Sequence, residues 1–60
     1  MYAEEMKKYE GKKVLLVLKN NFKYTTILPY GIGTTFTIID KYGREVTISC
    51  EIVQLITGVD

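Results

Sequence analysis

The stretch VLLVLKNNFKYTTIL, residues 14–28, decides the fold of this 60-residue chain. It begins with five consecutive large apolar residues, Val14 to Leu18, and a pair of asparagines then interrupts the apolar run. A strand with one face in water alternates apolar and polar residues, whereas this strand is apolar on both faces. Something must therefore cover the second face: a helix of the same chain, another subunit or a partner.

The turn inside this stretch can be assigned from the residues that it brings together. A two-residue loop at the two asparagines would set Leu18 beside Lys23, whereas a three-residue loop at 19–21 sets Leu18 beside Phe22. The second arrangement keeps apolar residues on one face. We therefore expect loop 19–21, with Asn21 in the left-handed conformation that asparagine tolerates better than most residues.

The N-terminal residues predict a short helix and its cap, residues 1–11. They contain helix formers without a β-branched residue, and the glycine at the end of this segment suits a helix C-terminus. We expect Met6 and Tyr9 of this helix to cover the second face of the first strand. That face carries Leu15 and Val17.

From residue 12 onward the composition switches to short runs of Val, Ile, Thr, Tyr and Phe, which are typical of strands. Sixty residues make one domain, residues 1–60, in which the barrel would occupy residues 12–57. So small a domain buries little surface and often depends on oligomerisation. The predicted strands are 12–19, 22–28, 34–40, 44–50 and 53–57.

The segment DKYG, residues 40–43, predicts the turn between the third and fourth strands. It has the pattern of a type I turn whose glycine, Gly43, takes the left-handed position and forms a bulge. The resulting register pairs Ile38 with Val46, so apolar residues share one face and threonines share the other. The same register places Phe36 in the core.

Composition excludes several kinds of site. Cys50 is the only cysteine and there is no histidine, so a disulfide within the chain, a tetrahedral zinc site and an activated thiol are not expected. The carboxylates are scattered near turns, which gives no support for paired acid/base chemistry. We expect no metal, no cofactor and no enzymatic activity. The unpaired cysteine and an acidic N-terminus favour a cytoplasmic protein, and no apolar run is long enough for a membrane span.

The formal net charge is +1, from eight basic and seven acidic residues. This balance argues against a protein whose whole surface binds nucleic acid, because such binding uses many contacts between cations and phosphates. The lysines are nevertheless clustered, near the N-terminus and around the first turn. Solvated surface and protection of strand edges are the simpler explanation for them.

Apolar residues at fixed spacing in residues 26–39 and 48–56 are similar to two motifs of a known family. The first motif falls on Thr26, Leu28, Ile32, Phe36 and Ile39, and the second on ISCEIVQLI, residues 48–56. On these residues, and from the N-terminal helix to Ile56, the chain resembles the Sm/LSm proteins. The resemblance implies a mostly β fold, an SH3-like five-stranded small open barrel of Sm type with a short N-terminal helix.

The chain departs from the family at the residues that carry its chemistry. In Sm-like proteins an aspartate, an asparagine and an Arg-Gly pair build the pocket that holds an RNA base. The corresponding positions here lack side chains that can copy those hydrogen bonds. The resemblance therefore implies the barrel and the ring more strongly than it implies uridine-rich RNA binding. The positions that correspond to the family's pocket residues are Ile32, Phe36, Ser49 and Cys50.

The resemblance also implies assembly. In Sm-like proteins the fourth strand of one subunit pairs with the fifth strand of the next, which here would join residues 44–50 to 53–57. A cyclic homo-oligomer would satisfy strand edges that a single open barrel leaves unpaired. A plain dimer or a complex with another chain are the alternatives. The candidate interface residues are Val46, Ile48, Cys50, Ile52, Val53 and Leu55.

These observations lead to a function hypothesis and its alternative. The first is a ring-forming, non-enzymatic Sm-like protein with an RNA-binding or ribonucleoprotein-related role, its partner single-stranded RNA. The alternative is a protein-interaction or scaffold module without RNA binding. A designed barrel is a third interpretation, although designers usually avoid a free cysteine. The candidate RNA-binding residues are Lys12, Lys13, Lys19, Lys23 and Lys41, with Tyr24, Tyr42 and Phe36 as stacking surfaces.

Overall fold

A computed structural model describes residues 1–59 as a small, mostly β fold with one short N-terminal helix. Each of the five predicted strands forms, with both ends within one residue of the predicted bounds. The helix α1 is Ala3–Met6, followed by a 3-10 turn at Lys7–Tyr9; the strands are β1 Lys13–Leu18, β2 Lys23–Ile27, β3 Thr35–Ile39, β4 Glu45–Ser49 and β5 Val53–Gly58, with a second 3-10 turn at Cys50–Ile52.

The strands form two antiparallel sheets. One sheet has three strands in the order β2-β1-β5, and the other contains β3 and β4. The sheets are not joined into a closed barrel. A hydrogen bond connects them where the Thr26 hydroxyl donates to the carbonyl oxygen of Ile39 at 3.4 Å. Within residues 1–59 no helix is long and apolar enough to span a membrane.

The turn between β1 and β2 is the predicted three-residue loop. The Leu18 N–H donates to the Phe22 carbonyl oxygen at 2.8 Å, and Leu16 lies opposite Tyr24 in the ladder. Asn21 adopts a left-handed conformation with φ of 69°. The local pattern of apolar residues and the tolerance of asparagine for this conformation were therefore sufficient to set the register.

The β3–β4 turn also has the predicted form. Ile38 lies opposite Val46, and the Asp40 N–H donates to the Arg44 carbonyl oxygen at 2.9 Å. Gly43 has φ of 81°, the left-handed region that a β-branched residue resists. This hairpin places Phe36 in the core, as its phase predicts.

The prediction that the helix covers the second face of β1 is wrong. Met6 is fully buried, but it lies in the same core cluster as Val14 and Leu16. That cluster contains side chains from both sheets. Met6 therefore removes more apolar surface from water there than it would on the other face of β1. Leu15 and Val17 remain half-buried on the outside of the three-stranded sheet.

Candidate nucleic-acid interface

A cleft of about 310 Å³ lies where the beginning of β2 meets the β3–β4 turn, and we call it the basic cleft. Four of the predicted RNA-binding residues line it, although the two segments are far apart in the sequence. Arg44, which sequence reasoning did not select, is also present. The residues that line the basic cleft are Lys23, Tyr24, Thr25, Asp40, Lys41, Tyr42 and Arg44.

Asp40 organises the turn that forms one wall of the basic cleft. Its Oδ1 accepts hydrogen bonds from the backbone N–H groups of Tyr42 and Arg44, both at 2.9 Å. Its Oδ2 accepts a third from Arg44 Nε at 3.1 Å. The hydrogen bond from the Arg44 N–H, together with the Tyr42 N–H and the Arg44 side chain, outweighs desolvation and lowers the pKa of Asp40 below its usual value.

Asp40 orients the Arg44 guanidinium and leaves some of its hydrogen-bond donors unengaged. Asp40 engages only Nε, and the two terminal amino groups make no hydrogen bond within residues 1–59. The Arg44 side chain is 72% exposed. A guanidinium held at one edge presents its remaining donors as a planar pair, which is the geometry that suits a phosphate or carboxylate.

Both cations of the turn lie close to the Tyr42 ring. Lys41 Nζ lies 5.2 Å and Arg44 Cζ lies 5.3 Å from the centroid of the Tyr42 ring. Both distances are within the range of a cation–π interaction. The Tyr42 residue is 70% exposed, so part of the ring remains accessible to a ligand.

The second tyrosine of the cleft is fixed more firmly. Tyr24 lies on β2 opposite Leu16 and packs against the core while remaining only partly buried. Lys23 precedes it and is exposed. The basic cleft therefore contains three cations, one carboxylate that is already engaged, and two aromatic rings. Such a set can hold a phosphate and offer a stacking surface.

The other predicted RNA-binding residues lie elsewhere. Lys12 and Lys13 are exposed at the beginning of β1, and Lys13 stands opposite Ile27. Lys19 lines a different cleft of about 570 Å³. Phe36 is only 5% exposed and lies in the core, so its ring is not presented to a base.

The positions that the resemblance aligns with the family's base pocket are apolar or already engaged. Ile32 is buried, as is Phe36, and the Ser49 hydroxyl accepts from the Glu51 N–H at 3.3 Å. The Cys50 thiol donates to the Gly33 carbonyl oxygen at 3.2 Å, and burial raises its pKa. These four positions carry no carboxylate, amide or guanidinium, so they cannot copy the hydrogen bonds that the family's pocket makes to a base.

The candidate interface strands each have one unpaired edge. In β4 the residues flanking Thr47 bond towards β3, so alternation turns the Thr47 N–H away from the sheet. In β5 the same alternation turns the Ile56 backbone N–H away from β1, while the Ile56 side chain stays buried in the core. Of the interface candidates, Ile48, Cys50 and Val53 are buried in the core of the chain, Val46 is half-buried, and Ile52 and Leu55 are 39% and 52% exposed.

Arg44 could have been found from its sequence context. It lies four residues after Asp40 across a predicted turn and two residues after an aromatic residue.

Within residues 1–59 no group of three or more His, Cys, Asp or Glu side chains could hold a metal ion. Comparison with protein-family models, with curated proteins and with solved structures finds no match to the chain.

Proposed function

We propose that this chain is a non-enzymatic, Sm-like, ring-forming domain that binds single-stranded RNA through the basic cleft. The observation that carries the proposal is the meeting of three cations and two tyrosines in one cleft. Two of the cations also lie beside an exposed aromatic ring. The proposed binding is directed to phosphates and tolerates many base sequences.

The phosphate would be held mainly by Arg44, because Asp40 fixes its Nε and leaves the terminal amino groups as a bidentate donor. Lys23, on β2, and Lys41, in the β3–β4 turn, add two further positive charges to the cleft. The overall charge of the chain is close to neutral. Binding driven by phosphates must therefore depend on a local concentration of cations such as this one.

A base would stack on one of the two tyrosines. Every base has an aromatic face, so stacking contributes affinity without demanding a particular sequence. Tyr24 is the better-fixed ring because it packs against the core, and Tyr42 is the more exposed. A base that stacks on Tyr42 competes with Lys41 and Arg44 for the ring. Stacking is therefore favoured when the phosphate of the same nucleotide binds those two cations.

The Sm-type barrel and the ring are part of the same proposal. The two sheets would form the walls of an open barrel, and the free edge of β4 in one subunit would pair with β5 in the next. A ring would repeat the basic cleft around its circumference. Several weak sites on one RNA strand bind much more tightly than one, because each later contact is intramolecular.

The test compares two variants that lose the same charge. Lys41→Gln/Arg44→Gln removes two cations of the basic cleft, and Lys7→Gln/Lys8→Gln removes two exposed cations that lie outside it. Fluorescence anisotropy with a labelled oligo-uridine should show about a tenfold or greater loss of affinity for the first variant, since each lost contact is a charge-assisted hydrogen bond. An equal loss in both variants would contradict the proposal.

A further inference from the structure

A second surface lies outside the basic cleft, on the outer face of the three-stranded sheet. We call it the outer face; it is formed by the β1 side chains that point away from the core and by their partners on β2 and β5. Leu15 and Val17 are half-buried at its centre. Ile27 on β2 is 65% exposed and Leu55 on β5 is 52% exposed. Nothing in residues 1–59 covers these side chains completely.

The register arranges the apolar side chains obliquely across the outer face. Ile27 stands opposite Lys13, two residues before Leu15, and Leu55 stands opposite Val17, two residues after it. Ile27, Leu15 and Leu55 therefore form a diagonal ridge from β2 to β5. From strand spacing and rise per residue, the ridge is about 17 Å long.

The charges on the outer face lie on both sides of this ridge. Lys13 lies on one side, and Lys23, which stands opposite Val17, lies on the other. No carboxylate stands among the described residues that face outwards on this sheet. A second copy of the chain placed face to face would add the same lysines and no carboxylate to pair with them, so charge complementarity favours a different occupant.

We propose that the outer face docks an amphipathic helix of a partner protein whose apolar stripe is flanked by Asp and Glu residues. A ridge of about 17 Å corresponds to roughly 11 residues of helix, or three turns. Apolar side chains at i, i+4, i+7 and i+11 span these three turns and would contact Ile27, Leu15 and Leu55, as the apolar face of an amphipathic helix does when it docks on an apolar surface. Carboxylates on the two flanks would meet Lys13 and Lys23.

This inference goes beyond RNA binding and, apart from Lys23, uses different side chains. Lys23 lines the basic cleft as well as the outer face, so its substitution would disturb both surfaces. Lys13 and Ile27 lie outside the lining of the basic cleft. Substitutions at these two positions therefore test the outer face separately.

The probes are two 18-residue helical peptides with the same leucine stripe, one flanked by glutamates and the other by lysines. Each is titrated into protein with labelled methyl groups and followed by NMR. We expect the glutamate peptide to shift the methyl signals of Leu15, Val17, Ile27 and Leu55 saturably and to bind about tenfold more tightly than the lysine peptide. Lys13→Glu should lower the affinity for the glutamate peptide by about threefold to tenfold and raise the affinity for the lysine peptide.

Ile27→Thr is the second variant, chosen because threonine keeps a β-branched side chain on an exposed strand position. It should weaken the glutamate peptide while the dispersion of the NMR spectrum stays unchanged. Equal affinity for both peptides, binding of neither, or shifts confined to other surfaces would overturn the proposal. Concentration-dependent shifts of the Leu15 and Ile27 methyl groups without peptide would also overturn it, because these residues lie on β1 and β2, away from the proposed β4–β5 contact, and such shifts would identify a second copy as the occupant.

Discussion

Asp40 and Arg44 are joined three times across the β3–β4 turn. The Asp40 N–H donates to the Arg44 carbonyl oxygen at 2.9 Å, and the Asp40 carboxylate accepts from the Arg44 backbone N–H at 2.9 Å and from its Nε at 3.1 Å. One residue pair therefore closes the hairpin and aims the guanidinium. Stability of the turn and geometry of the basic cleft depend on the same carboxylate.

Removing the charge of Asp40 should weaken the hairpin in a pH-dependent way. The folded protein lowers the pKa of this carboxyl from its usual value of 3.8, so the ionised form contributes stability above that value. The contribution is lost as the pH falls through the lower folded-state pKa. We expect Asp40→Asn to be less stable than the wild type at pH 7 and the difference to shrink at the acid end.

Denaturant midpoints measured from pH 7 to pH 2 check this prediction. Glu45→Gln is the control, because it makes the same charge change at an exposed position one residue beyond Arg44. A difference between wild type and Asp40→Asn that stays constant down to pH 2 would mean that the charge of Asp40 does not stabilise the turn.

Gly43→Val should destabilise the domain through the backbone alone. Gly43 has φ of +81°, and within residues 1–59 no heavy atom beyond its own chain neighbours lies within 4 Å of the place where a Cβ would be added. The left-handed conformation costs a side-chain-bearing residue about 1–2 kcal/mol, and a β-branched residue more. Gly43→Asn should cost less, since asparagine tolerates this region. Urea unfolding of both variants gives the comparison, and equal losses would show that φ is not the cause.

The corresponding change in the first turn should have the opposite sign. Asn21 already has φ of 69°, so Asn21→Gly removes the strain of a side chain in that conformation. We expect a neutral or stabilising effect. A loss of more than about 1 kcal/mol, the scale of such turn substitutions, would show that the Asn21 side chain has a role of its own.

The strands and turns were predictable because local chemistry determines them. The requirement that apolar partners share one face, the left-handed preference of Asn21 and the glycine at position 43 together determine two registers. The cover of β1 was not predictable in the same way. Whether Met6 turns to the core or to the outside depends on the path of the chain into β1, and no local pattern specifies that path.

The basic cleft was predictable only in part. Lys23 and Tyr24 lie in a different segment from the β3–β4 turn, and packing of the two sheets brings them together. The sequence indicated which residue types suit RNA. It did not indicate that Lys12, Lys13 and Lys19 would lie away from the cleft, because the relative placement of the sheets is a property of the tertiary structure.

Phe36 and Tyr42 should separate stability from RNA binding. Phe36 is buried in the core, so Phe36→Leu should lower the free energy of unfolding by roughly 1 kcal/mol or more and leave the RNA affinity of the folded protein unchanged. Tyr42→Leu removes an exposed ring, so it should weaken RNA binding and leave the free energy of unfolding nearly unchanged. Thermal unfolding and anisotropy on the same samples decide; weaker RNA binding by folded Phe36→Leu would place Phe36 in the RNA site.

Pairing between the edges of β4 and β5 can be tested with one residue. The Thr47 N–H points away from its own sheet, so Thr47→Pro should leave the subunit folded but remove a donor from the proposed subunit contact. Thr47→Ala loses the same 3.0 Å contact with the Thr37 hydroxyl and keeps the N–H. Light scattering should find a ring for the wild type and Thr47→Ala, and smaller species for Thr47→Pro. A stable wild-type monomer at micromolar concentration would contradict ring formation.

The most direct measurement of the RNA proposal is the salt dependence of binding to two short labelled oligomers, hexauridine and hexaadenosine. If one strand engages the three cations of the basic cleft, the slope of log affinity against log salt should be about −2. Affinity should then fall roughly 20-fold between 50 and 200 mM salt, and the two oligomers should bind within a few-fold of each other. Uridine-selective binding that resists salt, or no binding of either oligomer at low salt, would contradict a phosphate-directed cleft.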